Sequence, residues 1–247
     1  MRRRDFIIAS LLSAPLTSRR GFAAQGAVTG PVVLELFTSQ GCSSCPPAEA
    51  LLGELAHEPG VIGLAWHVDY WNSQGWHDRF SRPEWTERQK AYARDLNEEV
   101  YTPALVVNGA TMVVGSDKAA VRRAIASATP PSVTVALRRD ESWLRAEIGT
   151  AAAATTAQLI TYDPEQTTQV DAGENQGRRL REFQVVRDAV TLDTGLTLPP
   201  VPRNRGAVLL VRDASGRIIG AADAPPLFVH LLWPGDRGPV REWRSPN

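Results

Sequence analysis

The chain has two cysteines, Cys42 and Cys45, with Ser43 and Ser44 between them. Two intervening residues bring the thiols close enough for a disulfide that opens and closes. The apolar run Val32 to Phe37 precedes the pair, and a periodic segment beginning at Pro46 follows it. A strand that delivers Cys-x-x-Cys onto the first turn of a helix makes a redox site, because unpaired backbone N–H groups and the positive end of the helix dipole stabilise the leading thiolate. Cys42 is therefore the candidate nucleophile and Cys45 the candidate resolving thiol. A static disulfide and a metal site are the alternatives. Zinc or an iron–sulfur cluster usually needs two more soft ligands, and the chain has no second Cys-x-x-Cys.

The elements that must position this pair can be read from periodicity. Pro31 to Phe37 is a short run of β-forming residues of the kind buried on both faces. Pro46 and Pro47 suit a first helical turn, whose N–H groups have no intrahelical use. Ala48, Leu51, Leu52, Leu55 and Ala56 then mark one apolar face of a helix over about 45–57. Val61 to Val68 reads as a second buried strand, giving a β-α-β unit with parallel pairing. Ser81 and Glu84 have capping-box spacing before a helix over about 82–96. Ala104 to Val107 and Met112 to Val114 read as a hairpin turned by Asn108-Gly109, and a helix capped by Gly115-Ser116 runs to about Ala128. Thr129-Pro130-Pro131 reads as a linker. Beyond it the pattern alternates, with strands expected near 133–137, 144–148, 156–162, 181–186, 207–211 and 217–222.

The order β-α-β-α-β-β-α, with Cys-x-x-Cys after the first strand and Thr102-Pro103 before the third, resembles thioredoxin-like proteins. More narrowly, the chain resembles an exported bacterial family catalogued as domain of unknown function 1223. The residues that carry this are Leu36-Phe37-Thr38-Ser39-Gln40-Gly41-Cys42-Ser43-Ser44-Cys45-Pro46-Pro47, His67-Val68-Asp69-Tyr70-Trp71 with Gly75-Trp76, Tyr101-Thr102-Pro103, and Gly173-Glu174-Asn175-Gln176-Gly177. The resemblance implies an α/β thioredoxin-like domain over residues 30–129, followed by a mainly antiparallel β domain over 131–233, α+β overall, and an irregular tail over 234–247. It also implies a cis Pro103 whose loop faces Cys42. The Ser-Ser dipeptide differs from thioredoxin's Gly-Pro, and that dipeptide tunes the reduction potential.

Further residues follow from this frame. Glu35, on the strand before the cysteines, is placed where a buried carboxylate relays protons in the thioredoxin-like class. His67 and Asp69 are two apart, so an extended strand end would set both on one side, where they either anchor the Trp-rich loop or act with the cysteines. Trp71, Glu174 and Asn175 are candidates for support around the pair; the stretch 173–177 reads locally as a turn.

Composition limits what the protein acts on. The first 24 residues have a basic start, an apolar run from Phe6 to Leu16 and small residues at Ala23-Ala24, the pattern of an export signal; Arg3-Arg4 resembles the twin-arginine class. The apolar run is too short to be a membrane anchor. Without these residues the chain has 22 basic and 26 acidic side chains, which argues against nucleic acid as a partner. The expectation is a bacterial periplasmic or secreted protein, where disulfides persist. The expected function is that of a thiol–disulfide oxidoreductase acting on client proteins, with a redox partner protein as electron source or sink because no nicotinamide or flavin fingerprint is present. The alternative is a copper-handling or assembly protein binding metal through Cys42, Cys45 and His67.

Overall fold

The computed structural model describes residues 30–151, 155–192 and 197–227. The expected export signal and irregular tail lie outside the described residues. The fold is mixed α/β, with one large sheet and few helices. Its elements, in chain order, are β1 (Val32–Thr38), α1 (Pro46–Leu55), β2 (Val61–His67), α2 (Pro83–Leu96), β3 (Ala104–Val107), β4 (Thr111–Val114), α3 (Lys118–Ser127), β5 (Val135–Asp140), β6 (Trp143–Ile148), β7 (Thr156–Gln169), β8 (Arg179–Leu192), β9 (Gly206–Arg212) and β10 (Ile218–Ala224).

Among the described residues, eight strands form a single sheet in the order β10-β9-β7-β8-β2-β1-β3-β4, and β5 and β6 pair separately. The β1-α1-β2 crossover makes β1 and β2 parallel, from Val32 beside Val61 to Thr38 beside His67. β3 runs antiparallel to β1, and β4 returns beside it through Asn108 and Gly109, both at positive φ (48° and 65°) as the turn requires. The two halves of the chain join where β2 meets β8, in parallel, with Ala65 opposite Val185. That junction brings the far end of the long β7–β8 hairpin over the Cys-x-x-Cys.

Strand alternation divides the core. Leu34 and Leu36 face α1 and α3, packing on Ala48, Leu51, Leu52, Leu55, Val121 and Ala124. Val33 and Phe37 face the other way, into a cluster with Trp66, Trp85 and Tyr92. A fully buried leucine such as Leu52 contributes roughly 1.5–3 kcal/mol. The β5–β6 ribbon sets Leu137 and Leu144 against Leu159 and Leu209.

Two caps differ from the expected ones. α2 begins at Pro83 with Arg82 as an extended N-cap and no side-chain cap. Ser81 instead donates to the Asp78 carbonyl and accepts from Asn72, so its hydroxyl holds the preceding loop and no capping box forms. α3 is capped by Asp117, whose carboxylate accepts from the Ala120 amide, where Gly115-Ser116 was expected. The acidic side chain accepts that bond and sits favourably at the helix dipole.

Candidate functional site

Cys42 and Cys45 are joined in a disulfide with their Cα atoms 5.4 Å apart. Cys45 is the N-cap of α1, and its carbonyl accepts from the Ala48 and Glu49 amides. Both cysteines are buried, Cys42 completely and Cys45 to 1% exposure, while Ser43 and Ser44 are exposed. The Ser44 hydroxyl lies 3.4 Å from Cys42 Sγ, within reach of a sulfur acceptor.

Two segments enclose Cys42. One is the loop after β2: a Cβ built on Gly41 would lie 3.0 Å from the Cβ of Trp71, so a side chain there would have to push the loop back. The Trp71 indole N–H donates to the Thr102 hydroxyl at 2.8 Å and thereby ties the cis Thr102–Pro103 turn to the residue before Cys42. The other is the turn 173–177, with Gly173 and Gly177 at positive φ. Asn175, fully buried, donates to the carbonyl oxygens of Gln40 and Cys42, both at 2.9 Å. Glu174 accepts from the Ser43 amide at 3.2 Å. The stretch 173–177, a turn by sequence, is thus a cover over the disulfide, brought there by the β7–β8 hairpin.

Beneath Cys45 lies a buried polar cluster. His67, at the end of β2, bonds through Nδ1 to Asp78 at 2.7 Å, and its Nε2 is 3.6 Å from Glu49 Oε1. Burial opposes charge on the ring, but Asp78, Glu49 and Glu182 outweigh it and raise the His67 pKa to about 9. Burial likewise pushes the Glu49 carboxyl up to about 7, the Glu182 carboxylate adding to the shift and His67 opposing it. Gln40 gathers the surroundings: its amide N–H donates to Asp78, its side-chain NH₂ donates to Thr168 and Glu182, and its side-chain oxygen accepts from Trp76.

Other sequence-predicted residues lie elsewhere. Glu35 does not join the cysteines, which corrects its assignment as their proton relay. It points to the opposite face of the sheet, fully buried, bonded to Arg88, Arg212 and the Tyr92 hydroxyl. Burial alone would raise its pKa, but Arg212 and Arg88 hold it at about 2, a permanent anion unsuited to proton transfer. Asp69 does not join His67 in the cluster beneath Cys45, because its partner lies on α2. It accepts from the Thr86 hydroxyl and anchors α2. His67 is engaged by acids on both nitrogens, and among the described residues no three His, Cys, Asp or Glu side chains are arranged to hold a metal ion.

Sequence reasoning missed Glu49, Asp78, Glu182 and Gln40. Glu49 had a signal: it stands four residues after Cys45 on one helical stripe, in an otherwise apolar face. Asp78 and Glu182 had none, since only tertiary pairing brings them in.

A family model described as a protein of unknown function (DUF1223) matches residues 33–198. A crystal structure of an Agrobacterium tumefaciens protein is similar, with 30% identity and a TM-score of 0.67, covering 83% of this chain and 98% of that one. HBP35 of Porphyromonas gingivalis is similar in fold, with 14% identity and a TM-score of 0.53, covering 86% of this chain and 82% of that one. Among curated proteins none matches the sequence.

Proposed function

We propose that this chain, which belongs to the DUF1223 family, exchanges disulfides with client proteins through Cys42 and Cys45. The observation that carries the reading is the placement of the pair: a disulfide at the first turn of α1, with a buried acid and a buried histidine beneath its second cysteine. A structural staple needs no titratable cluster at its back, whereas thiol exchange must move a proton as well as electrons. The element order and the Thr102–Pro103 turn held against the cysteine loop by Trp71 support a thioredoxin-like reading of residues 30–129. Cys42 is the attacking thiol and Cys45 resolves the mixed disulfide. Because Cys42 is covered, the turn 173–177 must swing aside for a client to reach it. Glu174 also places a negative charge at the Ser43 amide, which opposes the thiolate while the cover is closed. The protein works outside the cytoplasm, in the periplasm or beyond, with a partner protein that restores the couple's redox state.

The test is the reduction potential of the Cys42–Cys45 couple, measured by equilibrating the mature protein in glutathione buffers and trapping thiols by alkylation. A value between roughly −120 and −270 mV supports the reading, since catalytic couples lie there. A value well below about −300 mV overturns it in favour of a structural disulfide.

A further inference from the structure

We infer that Glu49, held between His67 and Glu182, takes up and returns the proton of the Cys45 thiol during disulfide exchange; the inference rests on the exchange reading above. A cavity of about 10 Å³ lies behind the disulfide, and its lining includes Cys45, Thr38, Glu49, His67 and Glu182, but not Cys42. That volume suits a single water molecule. Glu49 Oε1 and His67 Nε2 both lack a hydrogen-bond partner although buried, and they are 3.6 Å apart. The Thr38 hydroxyl beside them is unpartnered too; buried polar atoms are normally satisfied, so three such atoms around a water-sized space at a thiol mark a place where a proton is handed over.

The groups around Glu49 come from every neighbouring element. β1 supplies Thr38, β2 supplies His67 with Asp78 behind it, and α1 supplies Cys45 itself. β8 supplies Glu182, the Phe183 amide that donates to Glu49 Oε2 at 3.5 Å, and Arg181, whose guanidinium is paired with Glu165. Glu182 is occupied by donors from Gln40 and Thr168, which leaves Glu49 as the acid with an open oxygen. Its pKa near 7 lets it accept a proton and give it up at neutral pH. His67 is a positioning residue: Asp78 fixes its ring, and its charge keeps Glu49 from being locked in the protonated form.

In the direction that reduces a client, the Cys42 thiolate attacks one sulfur of a client disulfide, and the first client sulfur leaves as a thiolate. Cys45 gives its proton to the Glu49 carboxylate. The Cys45 thiolate then attacks Cys42 Sγ, the Cys42–Cys45 bond forms, the Cys42–client bond breaks, and the second client sulfur leaves as a thiolate. Two electrons have passed from the dithiol to the client disulfide, and Glu49 releases its proton to solvent or to the departing thiolate. The oxidising direction is the reverse.

The experiment is stopped-flow single turnover of the reduced full chain with 4,4′-dithiodipyridine, which releases one coloured thione on attack by Cys42 and a second when Cys45 resolves. In E49Q the first release should stay within about twofold of wild type. The second should slow by about tenfold or more at pH 7, with its pH inflection moved up toward the ordinary thiol value of about 8.5. E49D, which keeps an acid there, should recover much of the rate. A wild-type second phase and inflection in E49Q, beside a normal first phase, overturn the inference and leave the exchange reading standing. Absence of both releases in the wild-type protein overturns the exchange reading itself, and this inference with it. Redox difference infrared spectra of the wild-type protein test the point without a variant: a change in a protonated-carboxyl band between disulfide and dithiol forms at pH 7 is expected, and its absence overturns the inference.

Discussion

Asn175 donates both of its side-chain hydrogen bonds across the chain's two halves, to the carbonyl oxygens of Gln40 and Cys42, each at 2.9 Å. The amide is fully buried, and its oxygen accepts from Arg178 within the same turn. Together with Glu174 on the Ser43 amide, this one buried side chain of the β7–β8 hairpin ties the cover to the cysteine loop.

Removing that amide should open the site. Asn175→Ala leaves the buried Gln40 carbonyl without its donor, at a cost of about 1–3 kcal/mol, and takes one of two donors from the Cys42 carbonyl, which keeps the Cys45 amide. The expected outcome is a lower midpoint in urea and a disulfide that dithiothreitol reduces about tenfold faster at equal concentration. An unchanged reduction rate in a destabilised variant would show that the turn does not limit access to Cys42.

The roles of the two cysteines differ and can be trapped. Cys45→Ser should accumulate a mixed disulfide through Cys42 when incubated with an oxidised client, because nothing resolves it. Cys42→Ser should accumulate far less, since Cys45 is buried against the small cavity lined by Glu49 and His67. Equal trapping by both variants, read by non-reducing gels and mass spectrometry, would contradict the assignment of Cys42 as the attacking thiol.

Glu35 should matter for stability and not for redox chemistry. Glu35→Gln leaves Arg88 and Arg212 facing a buried site without the anion that pairs with them, a change expected to cost about 3–5 kcal/mol. Its reduction potential should match wild type, because the carboxylate lies on the sheet face away from α1. Denaturant melts and glutathione titrations separate the two effects.

Stability should peak on the acid side of neutrality. The His67 pKa is raised from 6.5 to about 9 on folding, so its contribution is fully present below about 6.5 and is lost as pH rises through 9. Glu49, raised from 4.5 to about 7, acts in the same sense: its contribution is present below about 4.5 and lost as pH rises through 7. Glu35, lowered from 4.5 to about 2, acts oppositely, with stability present above about 4.5 and lost as pH falls through 2. The histidine limb is worth at most on the order of 3 kcal/mol, at about 1.4 kcal/mol for each pH unit of displacement. Thermal melts from pH 4 to 10 should show Tm falling between pH 6.5 and 9, and His67→Gln should flatten that fall.

Much of this site is legible in the sequence. The Cys-x-x-Cys, the prolines that open α1 and the Asn108-Gly109 turn are set by neighbours a few residues away, where geometry is local and chemistry follows from residue type. Family membership was equally plain in Leu36 to Pro47 and in His67 to Trp71. What tertiary structure alone decided was which groups share a space with each cysteine. Alternation in β1 shows that Glu35 and Leu36 face opposite ways, but not which face α1 covers. The parallel pairing of β2 with β8 brings Glu182 and Asn175, 130 residues or more from the cysteines, into the site. Such long-range pairing depends on burial summed over the whole sheet, and no local signal in the chain encodes it.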